Sequence, residues 1–387
     1  MGNPKMAGLN SELVVVADIH LAKNWDVVQD WVDKEIDFLN PNNHLKKLIA
    51  NLNKDSNVAA VIFNGDCVDH FFADYLGFLD FINRTPHDGR PNNWKLFYGL
   101  MDRLNKPYVQ VPGNHDYRLE SYNYRFWDGL LRVNVPNWLR KKISKKIGRS
   151  SFRWIFEVNS VLVNEKKINP LKETAVLQSP LFKTLGGYNC IFLNTYYDGF
   201  AKLWSYLRHL TRLLTGHEWG VNVRGPQNSD IDFVKNTAAE QDSDSFYIFM
   251  HAPLINPKRS QIGKKYRLSI TNFKKTASKQ KIDYATILEG RGELLDIFRK
   301  CDKNLSIITS HAHYIKYFLI EKKHLTAKEV TLDTINQERE NPCLIKHVVT
   351  PALGSISNFD PKRRIGYFKI TPDGFKEVIL KEYTITS

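Results

Sequence analysis

Six short apolar runs in this chain end abruptly in polar residues, most of them able to bind metals or move protons. No other feature constrains the fold as much. The runs are ELVVVADIH (12–20), VAAVIFNGDCVDH (58–70), PYVQVPGNHD (107–116), CIFLNTYYDG (190–199), FYIFMHAP (246–253) and LSIITSHAHY (305–314). Continuous β-branched and aromatic runs of this length predict strands buried on both faces. Helical patterns lie between the first three. HLKKLIANLNKD (44–55) sets Leu45, Leu48, Ile49 and Leu52 on one face, and NWKLFYGLMDRL (93–104) shows similar spacing. Strand alternating with helix predicts an α/β architecture, with its site at the C-terminal ends of the strands. The tail GYFKITPDGFKEVIL (366–380) predicts a hairpin around Pro372-Asp373-Gly374.

The strand ends offer Asp18 and His20, then Asp66, then Asn114 with His115 and Asp116, then His251, then His311 and His313. In extended chain, residues two apart point the same way. Asp18 with His20, and His311 with His313, are therefore each expected to face one spot. Imidazole nitrogen and carboxylate oxygen converging from separate rigid elements suit borderline divalent ions. Each residue alone has a plainer reading: a histidine after an apolar run is commonly a hydrogen-bonded rim residue, and GNHD reads as a polar turn. Recurrence at successive strand ends makes coincidence a poor account. Gly65 and Gly113 each precede a polar site residue where the backbone is expected to turn sharply.

Bulk properties add limits. A chain of 387 residues, 42% hydrophobic, can bury a large core as two or three domains or as one large α/β domain. A formal net charge of +14 favours anionic partners: nucleic acid, phospholipid surfaces or phosphorylated small molecules. The four cysteines form no CxxC pair, and the N-terminus lacks a signal-peptide pattern. Both predict a reducing, cytoplasmic setting. No stretch approaches the ~18 consecutive apolar residues of a spanning helix.

Three basic segments depart from the strand pattern. PNWLRKKISKKIG (136–148) and AKLWSYLRHLTRLLTG (201–216) read as basic amphipathic helices. Residues 254–281 hold nine Lys and Arg and no Asp or Glu. Such segments occur at membrane surfaces and on ordinary solvated faces alike.

As a set, Asp18-x-His20, Gly65-Asp66-x-x-Asp69, Gly113-Asn114-His115-Asp116, His251 and His311-x-His313 resemble the calcineurin-like metallophosphoesterase family over residues 12–315. The resemblance implies an α/β fold, a four-layer α/β/β/α sandwich with two central mixed β-sheets and basic helical or loop insertions. It implies a single domain over 1–387, with a core at about 12–315, C-terminal strands at 340–385, and insert segments at 121–156, 200–228 and 254–285. It also implies two divalent or trivalent metal ions, Mn, Fe or Zn. One would be held by Asp18, His20, Asp66 and His313, the other by Asp66, Asn114, His251 and His311. Asp66 would bridge them, giving one oxygen to each ion.

The expected activity is that of a phosphatase or phosphodiesterase. Two cations ~3.5–4 Å apart neutralise a phosphate ester and acidify a shared water, and the bridging hydroxide attacks phosphorus. His115 is expected to act as the catalytic acid at the leaving oxygen. Asp116 would hold its ring, while Asp69 would act from behind a ligand. The family usually has Gly before the last His-x-His; this chain has Ser310, which bears on the turn and removes no ligand.

Three functions remain open on the sequence. The first is hydrolysis of a phosphomonoester, phosphodiester or pyrophosphate in a small or lipid-linked substrate, with peripheral membrane contact through the basic segments. The second is a nuclease whose basic loops track a phosphate backbone. The third, a catalytically silent scaffold, fits poorly with an intact ligand set.

Overall fold

The computed structural model describes residues 11–23, 36–38, 40–69, 93–113, 115–116, 161–164, 176–178, 180–195, 225–226, 228–255, 260–268, 270, 290–313, 315–357, 360 and 362–382. Among them, seven strands form one sheet. Its order is β17 (Gly374–Glu382), β16 (Arg364–Thr371), β1 (Glu12–Val16), β3 (Val58–Asn64), β4 (Tyr108–Val111), β5 (Val161–Asn164) and β6 (Val176–Gln178). A second sheet has eight described strands. They run β10 (Lys265–Arg267), β13 (Thr326–Val330), β12 (Lys316–Glu321), β14 (Leu344–Val349), β11 (Asn304–Thr309), β9 (Ser245–Met250), β8 (Tyr188–Leu193) and β7 (Leu181–Leu185). A small pair joins β2 (Ile36–Phe38) to β15 (Ser355–Ser357).

Both large sheets are mixed. β1, β3 and β4 are parallel, as are β8, β9, β11 and β14; their neighbours toward the edges are antiparallel. All six apolar runs became strands, and the Pro372-Asp373-Gly374 hairpin is the turn between β16 and β17. The core does not stop near residue 315. β16 pairs directly with β1, and β14 pairs with β11, so the later strands complete both sheets.

Alternation along the strands explains the layering. Leu13, Val15, Ala60 and Ile62 of the first sheet pack with Phe192, Phe249, Ile308 and Val348 of the second, forming a core between the sheets. The opposite set, Val14, Val16, Val61 and Phe63, packs against the helices Pro41–Lys54 and Asn93–Met101. On the far side of the second sheet, Ile248, Ile307 and Ile345 meet the helices Asn228–Glu240 and Arg291–Lys300. Two mixed sheets thus lie face to face with helices on their outer faces, the α/β arrangement expected.

The Pro41–Lys54 helix buries Leu45, Leu48, Ile49 and Leu52, the stripe read from its sequence. Its start is set by Asn40, whose side chain accepts from the Asn43 N–H at 3.2 Å, and by Pro41, which gives up no needed donor there. The Asn228–Glu240 helix gave no comparable signal, because it buries Ile231 and Val234 alongside the polar Asp230 and Thr237.

Among the described residues no helix is long and apolar enough to cross a membrane. The segments 136–148 and 201–216 lie outside the described residues. Of the proposed 254–285 insert, Lys265–Arg267 is not an appendage; it is the edge strand β10, antiparallel to β13.

Candidate metal centre

The C-terminal ends of β1, β3, β4, β9 and β11 converge on one point. Asn64, the last residue of β3, ties the sheets together beneath it. Its Nδ2 donates to the Met250 carbonyl at 3.2 Å and the Ile308 carbonyl at 3.3 Å, at the ends of β9 and β11. Main-chain bonds carry the exits of β1 and β3 onward together: Asp18 N–H donates to Gly65 O, and both Ile19 N–H and His20 N–H donate to Asp66 O.

The exits are not extended chain. Asp18, His20, Asp66, His311 and His313 all have positive φ, between 48° and 69°; among the other described non-glycine residues only Leu325 and Arg363 do. Each such residue costs on the order of 1–3 kcal/mol unless its surroundings fix it, and such strain clusters at functional sites. The pairs separated by two therefore converge through left-handed backbone, not through strand alternation.

Gly65 and Gly113 serve different needs. Gly65 has φ 91°, and a Cβ there would overlap the His251 ring. Gly113 has no such φ; a Cβ there would instead overlap the Asp66 main chain and carboxylate. The sharp turn expected at both is present at Gly65, while Gly113 allows a close approach.

Ligand-competent atoms gather in overlapping groups, each spanning no more than 4.8 Å. One comprises Asp18, His20, Asp66 and His313, and another Asp66, His251 and His311, so Asp66 is shared. His251 Nε2 lies 3.1 Å from Asp66 Oδ2, His20 Nε2 lies 3.8 Å from the same oxygen, and His313 Nε2 lies 3.4 Å from Asp18 Oδ1. Asn114 lies outside the described residues.

The remaining oxygens are spoken for. Asp18 Oδ2 accepts from the His311 N–H at 3.0 Å, and Asp66 Oδ1 from the His115 N–H at 2.7 Å. This leaves Asp66 Oδ2 facing the His251 ring at 3.1 Å, and Asp18 Oδ1 buried without a hydrogen-bond partner. A buried carboxylate oxygen in that state is costly unless a cation meets it. The residues present fit a pair of metal ions. Of the Asp66 oxygens, Oδ2 is the one near both His20 and His251, while Oδ1 accepts from the His115 N–H.

Protonation reflects the crowding. Burial works to raise the Asp66 pKa, yet His251, His115 and His20 hold it well below the usual carboxylate range. Burial lifts Asp18 to about 7 against the pull of His251, and lifts Asp116 to about 7 with the Asp66 charge beside it. Burial works to lower His251, but Asp66 outweighs it and raises the imidazole to about 9. Burial, reinforced by His20, holds His313 well below its ordinary value.

Of the two outer carboxylates, Asp69 stands behind His20 as expected and also takes the place beside His115 that was expected of Asp116. Asp116 does not hold the His115 ring; its oxygens accept from the Val68 N–H at 3.1 Å and the Gly113 N–H at 2.8 Å, which fixes the loop. Asp69 Oδ1 lies 3.0 Å from His115 Nδ1 and 3.6 Å from His20 Nδ1. The turn after β4 carries both an acceptor for N–H groups and the histidine, so sequence proximity pointed to the wrong carboxylate. Ser355 was also missed: its hydroxyl lies 2.7 Å from His313 Nδ1, and it belongs to a segment in which no motif was evident.

The Calcineurin-like phosphoesterase model matches residues 12–313, most of the chain. The chain belongs to that family. As a calcineurin-like phosphoesterase it is a hydrolase of phosphate esters, and the His/Asp groups described above lie within the matched span. Solved structures similar to it include the following two. A dimetal phosphatase from Danio rerio shares 10% identity, covering 97% of this chain and 100% of that one, with a TM-score of 0.45. Purple acid phosphatase PPD1 from yellow lupin (Lupinus luteus) shares 12%, covering 97% and 52%, with a TM-score of 0.48. No curated protein matches the chain.

Proposed function

We propose that this phosphoesterase holds two metal ions, one at Asp18, His20, Asp66 and His313, the other at Asp66, His251, His311 and Asn114. The observation that carries the reading is the sharing of Asp66 between two ligand groups, with its Oδ2 turned to both. Mixed nitrogen and oxygen donors of this kind suit Mn, Fe or Zn. Two such ions supply charge neutralisation at the phosphate and an acidified water.

The chain's own residues do the rest. Asp18 and Asp66 are each fixed through one oxygen by a main-chain N–H, so their other oxygens need no reorganisation when a cation arrives. His115 is the proton donor to the departing ester oxygen. Asp69 accepts from its Nδ1–H at 3.0 Å and steadies the imidazolium, which leaves Nε2 to deliver the proton. Asp116 keeps the loop carrying His115 in register with β3.

The substrate we favour is a phosphomonoester, phosphodiester or pyrophosphate of a small or lipid-linked molecule. The chain's net charge of +14 supports an anionic substrate. Peripheral contact with an anionic membrane through the basic segments belongs to this reading. The alternative is a nuclease, drawing on the same charge. A panel of phosphomonoester, phosphodiester, nucleotide, pyrophosphate-lipid and DNA substrates, run with Mn and with Zn, separates them. Turnover of small or lipid-linked esters with DNA left intact is expected. Cleavage of DNA alone would favour the nuclease, and no turnover of any substrate would contradict both.

A further inference from the structure

Two serine hydroxyls sit directly behind two of the proposed metal-binding histidines, one for each ligand group. Ser355 Oγ lies 2.7 Å from His313 Nδ1, and Ser310 Oγ lies 2.8 Å from His251 Nδ1. Both serines are fully buried. In each ring the nitrogen facing the serine is Nδ1, and the one facing the carboxylates is Nε2. An imidazole that donates from Nδ1 has its lone pair on Nε2, which is the form a metal needs.

The two supports are not equivalent. Behind His251 the Asn64 carbonyl also lies 2.8 Å from Nδ1, and the Ser310 hydroxyl donates to that same carbonyl at 2.6 Å. If Ser310 were truncated, the His251 Nδ1–H would keep the carbonyl. Ser355 is held in place by the main chain: the Gly354 N–H donates to Asp18 O and the Leu353 N–H to Ala17 O, so the 353–355 segment is laced to the exit of β1. The strand that supplies Asp18 therefore also fixes the hydroxyl behind His313.

We infer that Ser355 is the positioning residue for the Asp18–His20–Asp66–His313 site, orienting His313 and selecting its Nδ1–H form, and that Ser310 is a redundant support for His251. Ser355 lies beyond the span matched by the family model, so the C-terminal strands contribute to the centre as well as to the sheets. The inference rests on the dinuclear reading above, and its test separates the two.

The test is titration calorimetry with Zn on metal-stripped parent protein, Ser355→Ala, Ser355→Thr and Ser310→Ala, alongside proton NMR of the imidazole N–H groups in the zinc-loaded forms. The parent is expected to bind two equivalents, with the His313 Nδ1–H protected from exchange. Ser355→Ala should weaken one of the two binding steps about 10–100-fold and lose that protection. Ser355→Thr, which keeps the hydroxyl, should restore both, and Ser310→Ala should shift affinity less than Ser355→Ala. Parent protein that binds no Zn overturns the dinuclear reading itself. Parent protein with two ions but no protected Nδ1–H on His313 overturns the role of Ser355 alone, whether or not the variants fold. Parental affinity in Ser355→Ala does the same.

Discussion

His20 Nε2 and His313 Nε2 lie 3.3 Å apart, although 293 positions separate them in the chain. Two imidazole nitrogens at that distance must share a proton or face a common cation. Behind the two rings stand Asp69, 3.6 Å from His20 Nδ1, and Ser355, 2.7 Å from His313 Nδ1. Asp66 Oδ2 and Asp18 Oδ1 close the same space, which makes a cation the natural occupant.

Close packing around Asp66 yields a contrast between glycines. A Cβ at Gly113 would overlap the Asp66 main chain and carboxylate, whereas one at Gly99, in the Asn93–Met101 helix, would meet nothing within 4 Å. Gly113→Ala should cost metal retention and turnover. Gly99→Ala should leave both intact and add about 0.5–1 kcal/mol of stability. Bound metal and thermal melting of the two variants check this.

His115 and Asp69 should behave as a unit. His115→Ala is expected to lower turnover about 10²–10⁴-fold while both ions remain, with the largest loss on esters of poor leaving groups. Asp69→Asn should reproduce the leaving-group dependence in milder form, and Asp116→Asn should not. Rates on a leaving-group series, with metal content measured on the same samples, check the assignment.

Asn64 is expected to matter for the fold before it matters for chemistry. Asn64→Ala leaves the Met250 and Ile308 carbonyls without the donor that joins the two sheets. A loss of about 2 kcal/mol or more is expected, since buried carbonyls would go unsatisfied. Denaturant unfolding of the metal-free protein measures it.

Much of the site was legible because strand ends concentrate chemistry. An apolar run that stops at a histidine or aspartate gives both the element and the position of its side chain at the sheet's end. What remained illegible was everything that depends on main-chain shape or on a second strand. The positive φ of Asp18, His20, Asp66, His311 and His313 comes from the bonds that lace the strand exits together, and spacing carries no trace of it. Choosing between Asp69 and Asp116 required knowing that β3 runs beside β4, which brings Asp69 under a histidine 46 residues away. Ser355 gave no signal, because a single serine after VVTPALG looks like any turn.

His347, buried in β14 away from the ligand groups, should make the fold acid-sensitive. Burial, with Arg291 nearby, lowers its pKa to about 3 from an ordinary 6.5. Its Nε2 faces the Thr309 hydroxyl at 3.1 Å, and its ring stacks on Phe318. Between those values the unfolded chain binds a proton that the folded chain refuses. Stability therefore falls as pH drops below 6.5, approaching about 1.4 kcal/mol per pH unit until pH nears 3. Melting of His347→Leu and parent at pH 7 and pH 5 checks this, with a smaller drop expected in the variant.

The central claim is that one carboxylate joins two cations. Elemental analysis of manganese-saturated, desalted protein, beside Asp66→Asn prepared identically, tests it most directly. Two equivalents of manganese per parent chain and almost none in the variant are predicted. A parent that retains no manganese, or an Asp66→Asn protein that keeps both ions, would contradict it.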